Sequence, residues 1–170
     1  MIKLLTSRLP VILLLAFSLT ILSCGTSEKK VSEEPTPGFD QAEDQAEFVI
    51  NGESDTATAG DLQTVHFPFD SSRITPNSKD VLQQNAELLK QNPDLQIQIE
   101  GHADERGSIQ YNLALGERRA KAVKNYMVGL GVSGDRMTIV SFGKEKPIAY
   151  GHNEQAWAQN RRANFVITGI

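Results

Sequence analysis

Apolar and polar positions divide the chain into three stretches. Leu9 to Leu22 is a run of 14 residues that is apolar apart from Pro10 and a few small hydroxyl residues. A polar stretch follows, and from Asp61 onward apolar residues recur with the periods of strands and helices. Thr64 to Phe67 reads as a short strand. Pro68 has no N–H for a ladder and marks that strand's end or an edge. Thr75-Pro76 is a helix start, with threonine as cap and proline in the first turn. Leu82, Ala86 and Leu89 follow at i, i+4, i+7, and Asn92-Pro93 stops the helix. Leu95, Ile97 and Ile99 alternate with Gln96 and Gln98, giving a half-buried strand. A helix over Asn112–Gly129 carries the stripe Gly116, Ala120, Val123, Met127, Leu130. Met137 to Phe142 alternates again, Asn153 to Asn160 suits a short helix, and Asn164 to Thr168 a closing strand. The order β-α-β-α-β-(α)-β predicts an α+β domain with one mixed sheet and helices packed on it.

The apolar run is too short for a bilayer-spanning helix, which needs about 20 residues. Lys3 and Arg8 precede it and a small residue closes it, the pattern of a secretory leader over residues 1–23. Cys24, the only cysteine, cannot form an internal disulfide. Residues 24–60 read as the mature N-terminus and a disordered linker, and residues 61–170 as the folded domain. Residues 25–60 carry nine acidic side chains against Lys29 and Lys30, net −7, whereas residues 61–170 carry a net charge of +1. The linker has too little apolar mass to offset its ordering entropy. Its 36 residues can stretch to about 120 Å at most. Phe48-Val49-Ile50 is its one apolar cluster, either a docked strand or a loose patch.

The candidate chemistry lies in residues 101–107, GHADERG, and 111–120, YNLALGERRA. Asp104 sits in a loop after an apolar strand, and Arg119 on the helix that follows. Asn112, Leu115 and Arg119 are spaced i, i+3, i+7 and share one helix face that can meet that loop. An acid and a guanidinium held together form a receptor for a zwitterion, Asp104 taking an ammonium and Arg119 a carboxylate. Taken alone, an aspartate in a glycine-flanked loop is more often a turn acid or a cap for Arg106, and a lone Arg119 more often a solvated helix residue. Neither side chain carries apolar mass, so removing either is expected to leave the fold intact. Trp157 reads as a core anchor. His66, His102 and His152 are widely separated, so neither metal nor other cofactor is expected. Asp104 and Glu105 are adjacent and poorly placed to flank a scissile bond. The near-neutral domain argues against nucleic acid as a partner.

These motifs, together with SFGKEKP (residues 141–147) and AWAQNRRA (156–163) in the same order, resemble the OmpA-like peptidoglycan-binding domain over residues 61–170. The resemblance implies that Asp104 and Arg119 grip the diaminopimelate centre of a peptidoglycan stem peptide. It implies a second ligand wall at Phe69 and Asp70, where backbone N–H groups can receive a carboxylate. Asn112 would offer an amide and Leu115 an apolar floor. Of Arg161 and Arg162, strand neighbours that point apart, Arg161 is expected to face the site. The leader resembles a bacterial lipobox, with Leu22 bulkier than usual, so Cys24 would be acylated and insert in membrane lipid. Gly25 in place of an aspartate implies the outer membrane, with the domain in the periplasm.

Three functions fit. The first is a non-catalytic tether of outer membrane to wall. The second is a wall enzyme using Asp104 and Glu105, and the third a module for other envelope proteins. Lipid-anchored members of the family combine the first and third. They engage TolB and other Tol or outer-membrane proteins during envelope constriction in cell division. The alternative is a wall-anchoring lipoprotein outside the Tol system.

Overall fold

The computed structural model describes residues 47–170. The leader, Cys24 and most of the linker lie outside the described residues. The elements are β1 (Val65–His66), α1 (Pro76–Gln91), β2 (Gln96–His102), α2 (Ile109–Gly129), β3 (Met137–Gly143), α3 (Glu154–Asn160) and β4 (Arg162–Gly169). Each helix begins where a side chain caps it. Thr75, Ser108 and Asn153 accept hydrogen bonds from the backbone N–H of Ser78, Tyr111 and Ala156. The α2 helix therefore starts three residues before Asn112, at the Ser108 cap.

The strands form one mixed sheet in the order β1-β4-β2-β3. β2 runs parallel to β3 and antiparallel to β4, and β1 is antiparallel to β4. The core is built from Val65, Phe67, Leu82, Leu89, Ile97, Ile99, Val123, Met127, Phe165 and Ile167. The apolar stripes of α1 and α2 thus meet the inward positions of the strands, the expected α+β arrangement.

Two glycines set how closely α2 lies on the sheet. A Cβ on Gly101 of β2 would stand 1.8 Å from the Gly116 carbonyl oxygen, and one on Gly116 would stand 2.3 Å from Ser141 Oγ. Only bare backbone permits this approach. Ser141 Oγ also donates to the Leu113 carbonyl (2.7 Å). Helix α2 is thereby pressed against the ends of β2 and β3, next to the loop that carries Asp104.

The linker assignment over residues 24–60 is corrected at its C-terminal end: residues 47–60 dock on the sheet. Asn51 N donates to Ile167 O (2.8 Å) and Ile167 N to Gly52 O (3.0 Å). This segment pairs with the part of β4 that the two-residue β1 leaves uncovered. Asp55 then forms a buried ion pair with Arg162 at 2.6 Å, and Ser54 Oγ donates to Asn164 Oδ1 (2.8 Å). Ala59 is fully buried. Phe48 bridges to Ala59 and packs on the core, while Val49 and Ile50 stay half exposed.

Candidate functional site

Three segments converge at one end of the sheet: the loop after β1, the loop after β2, and the first three turns of α2. Between them lies a cleft of about 180 Å³ lined by Phe69, Asp70, Asp104, Arg106, Gly107, Tyr111, Asn112, Leu115 and Arg119. The β2–α2 loop is fixed from several sides. Ala103 N donates to Gly143 O (2.7 Å), Lys144 Nζ donates to the carbonyls of Glu105 (3.1 Å) and Gly107 (2.7 Å), and Asn112 Nδ2 donates to Arg106 O (2.9 Å). The motif at residues 141–147 thus supports the loop rather than lining the cleft. Asp70 adopts a left-handed backbone, φ 49°, which aspartate tolerates better than most residues. Its carboxylate accepts a hydrogen bond from the Tyr111 hydroxyl.

Asp104 is almost fully buried yet ionised. Burial raises its pKa, but hydrogen bonds from the Arg106 side chain and backbone outweigh that and hold the carboxyl below its ordinary value. Arg106 Nη2 stands 2.6 Å from Oδ2. The Arg106 guanidinium lies between two rings, 4.0 Å from the centroid of Phe69 and 4.0 Å from that of Trp157.

Arg119 has no exposed surface. Its guanidinium donates to the carbonyls of His102 (2.7 Å), Ser71 (2.9 Å) and Pro68 (3.1 Å), pinning the loops after β1 and β2 to α2. Burial lowers its pKa to about 10, so it stays charged at neutral pH. The expectation that Arg119 is dispensable for the fold is therefore corrected, since three backbone acceptors depend on it.

Six of the seven residues expected from sequence line this cleft: Phe69, Asp70, Asp104, Asn112, Leu115 and Arg119. The seventh, Arg161, stands behind it, with Nη1 3.4 Å from Asp104 Oδ2 and Nη2 2.6 Å from Glu154 Oε1. Arg162 points away to Asp55, as strand alternation requires. Trp157 is not a core anchor. It is half-buried at the cleft's flank, where its indole N–H donates to Glu105 Oε1 (2.8 Å). Sequence reasoning missed Arg106, Gly107 and Tyr111 as lining residues. Tyr111 is legible in retrospect, being i, i+4 to Leu115. Arg106 is two residues from Asp104, close enough to chelate it.

The OmpA family model matches residues 66–161. The peptidoglycan-associated lipoprotein of Pseudomonas aeruginosa is 50% identical over 112 residues, 66% of each chain, so this alignment covers just under two thirds of that relative. The peptidoglycan-associated lipoprotein of Rhizobium meliloti is 37% identical over 172 aligned positions, 96% of this chain and 90% of that one. In three dimensions the domain resembles the crystal structure of the peptidoglycan-associated lipoprotein from Burkholderia pseudomallei. The TM-score is 0.60 at 50% identity, covering 61% of this chain and 88% of that one.

Proposed function

The chain belongs to the OmpA family, alongside the peptidoglycan-associated lipoproteins, and on that footing we propose that its cleft holds the diaminopimelate centre of a stem peptide and so tethers the outer membrane to the wall. It is a binding protein and not an enzyme. The observation that carries the reading is the juxtaposition, in one small cleft, of a buried ionised carboxylate and guanidinium groups. Its volume suits a single amino-acid head group. Asp104 takes the ammonium. Phe69 and Asp70 form the opposite wall, Leu115 the floor, and Asn112 holds the loop backbone. Arg119, committed to three carbonyls, holds the two loops in place beneath the ligand and adds positive charge to the cleft.

The finer placement is the Tol system, with TolB as protein partner during envelope constriction. Acylated Cys24 provides the lipid anchor, and residues 61–170, with the docked segment before them, form the periplasmic wall-binding domain. Similarity to peptidoglycan-associated lipoproteins over nine tenths of the chain supports this placement. The competing reading is a wall anchor outside the Tol system.

The test is incubation of the membrane-extracted chain with purified sacculi. Co-sedimentation without release of muropeptides is expected, and release would restore the enzyme reading. Mass spectrometry of the same material should show a chain beginning at Cys24 with acyl mass added. An unmodified thiol there would remove the lipid anchor. Co-purification with TolB separates the Tol placement from its competitor.

A further inference from the structure

Asp104 is already saturated by the protein's own donors. Oδ1 accepts from the Arg106 backbone N–H (3.1 Å) and Nε (3.1 Å). Oδ2 accepts from Arg106 Nη2 (2.6 Å) and Arg161 Nη1 (3.4 Å). A carboxylate offers about four acceptor sites, so a ligand ammonium must displace a donor.

The two arginines differ in freedom to yield. The Arg161 side chain is only 7% exposed, is tied to Glu154, and donates through Nε to Phe67 O (3.1 Å). The Arg106 side chain is 31% exposed. Phe69 and Trp157 sandwich its planar guanidinium, a slot that resists tilting but lets it slide in its own plane. Glu154 Oε2 waits 3.9 Å from Nη2. Arg119 is deeper and committed to three carbonyls, so Arg106 is the lining cation able to follow a ligand.

We infer that Arg106 is a specificity-determining residue, a resident cation on Asp104 that yields to a ligand by exchange of ion pairs. The ligand's ammonium takes Asp104, and the released guanidinium takes the ligand's carboxylate, bidentate in the same slot. This rests on the reading of the cleft as a zwitterion receptor and explains how it selects. A zwitterion breaks one ion pair and makes two. An amine without a neighbouring carboxylate breaks the Arg106–Asp104 pair and leaves the guanidinium only Glu154, an exposed carboxylate 3.9 Å away that Arg161 already holds. A carboxylate without an amine brings negative charge against Asp104.

The experiment is calorimetric titration of the full chain with two stem tripeptides, one ending in meso-diaminopimelate and one in lysine. Wild type, Arg106→Gln and Arg106→Lys are compared. Wild type is expected to prefer the diaminopimelate stem. Arg106→Gln should weaken that stem by about tenfold, the scale of a lost charge-assisted hydrogen bond, while the lysine stem, freed of its competitor, binds several-fold tighter. Discrimination should therefore collapse from both sides. Arg106→Lys keeps the charge without the planar fork and should retain only part of the preference. It also serves if the glutamine variant melts early. Equal weakening of both stems by Arg106→Gln, or unchanged discrimination, overturns the exchange while leaving the cleft's function standing. Failure of wild type to bind either stem overturns both.

Discussion

Arg119 is the largest fully buried side chain in the domain, and it lines the cleft from a structural position. Truncation to alanine leaves the carbonyls of Pro68, Ser71 and His102 without their donor. We expect a loss of about 3 kcal/mol and a fall in melting temperature on the order of 10 °C, read by thermal unfolding. Asp104 is different: Arg106 can relax into solvent when the acid is neutralised. Asp104→Asn should melt close to wild type while weakening stem-peptide binding by roughly 10–100-fold. Its folded pKa lies below the ordinary value. Its contribution is thus fully present above the unfolded carboxyl pKa and is lost only as pH falls through the lower folded value. Binding measured against pH should persist through the ordinary aspartate range and fail below it. Loss already at pH 5 to 6 would point to another group. Much of this site was legible from spacing and motif, because Asn112, Leu115 and Arg119 share a helix face and Asp104 sits in the adjoining loop. Arg119's three carbonyl partners were not, since they lie 17 to 51 residues away along the chain.

Among the elements, α2 decides the site's geometry because it sits on bare backbone at Gly101. Gly116→Ala would place a Cβ 2.6 Å from Gly101 O and 2.3 Å from Ser141 Oγ. Overpacking of this kind costs about 1–3 kcal/mol, and lifting α2 should also loosen the cleft. A variant with wild-type stability and affinity would contradict that close seat. The docked segment before β1 is the other element with a large effect. Asp55→Ala leaves Arg162 buried without its partner, at about 3–5 kcal/mol. A chain beginning at Asp61 should therefore melt well below one beginning at Glu47. Equal melting would show that the segment adds nothing. The helices and strands were readable from periodicity, caps and Pro93. The docked segment was not, because its Ser54, Asp55 and Ala59 read as linker composition. Their partners Arg162 and Asn164 are more than 100 residues away.

For the whole molecule, the docked residues 47–60 belong to the domain and not to the tether proposed from Cys24. The 22 residues between Cys24 and Glu47 set an upper bound of roughly 75 Å on that tether. On the proposed reading, wall and membrane lie within that span for one chain to hold both, and many anchored copies on one polymer would bind with avidity, so single-site variants should look milder on sacculi than in solution. The most direct test of the tether is competition. Full chain bound to diaminopimelate-containing sacculi is challenged with soluble stem peptide, and both phases are assayed for protein and for released muropeptides. The expected result is release of the chain by the diaminopimelate stem, little release by the lysine stem, and no muropeptides in solution. Protein that stays on the wall despite saturating diaminopimelate stem would contradict a cleft that binds through that residue.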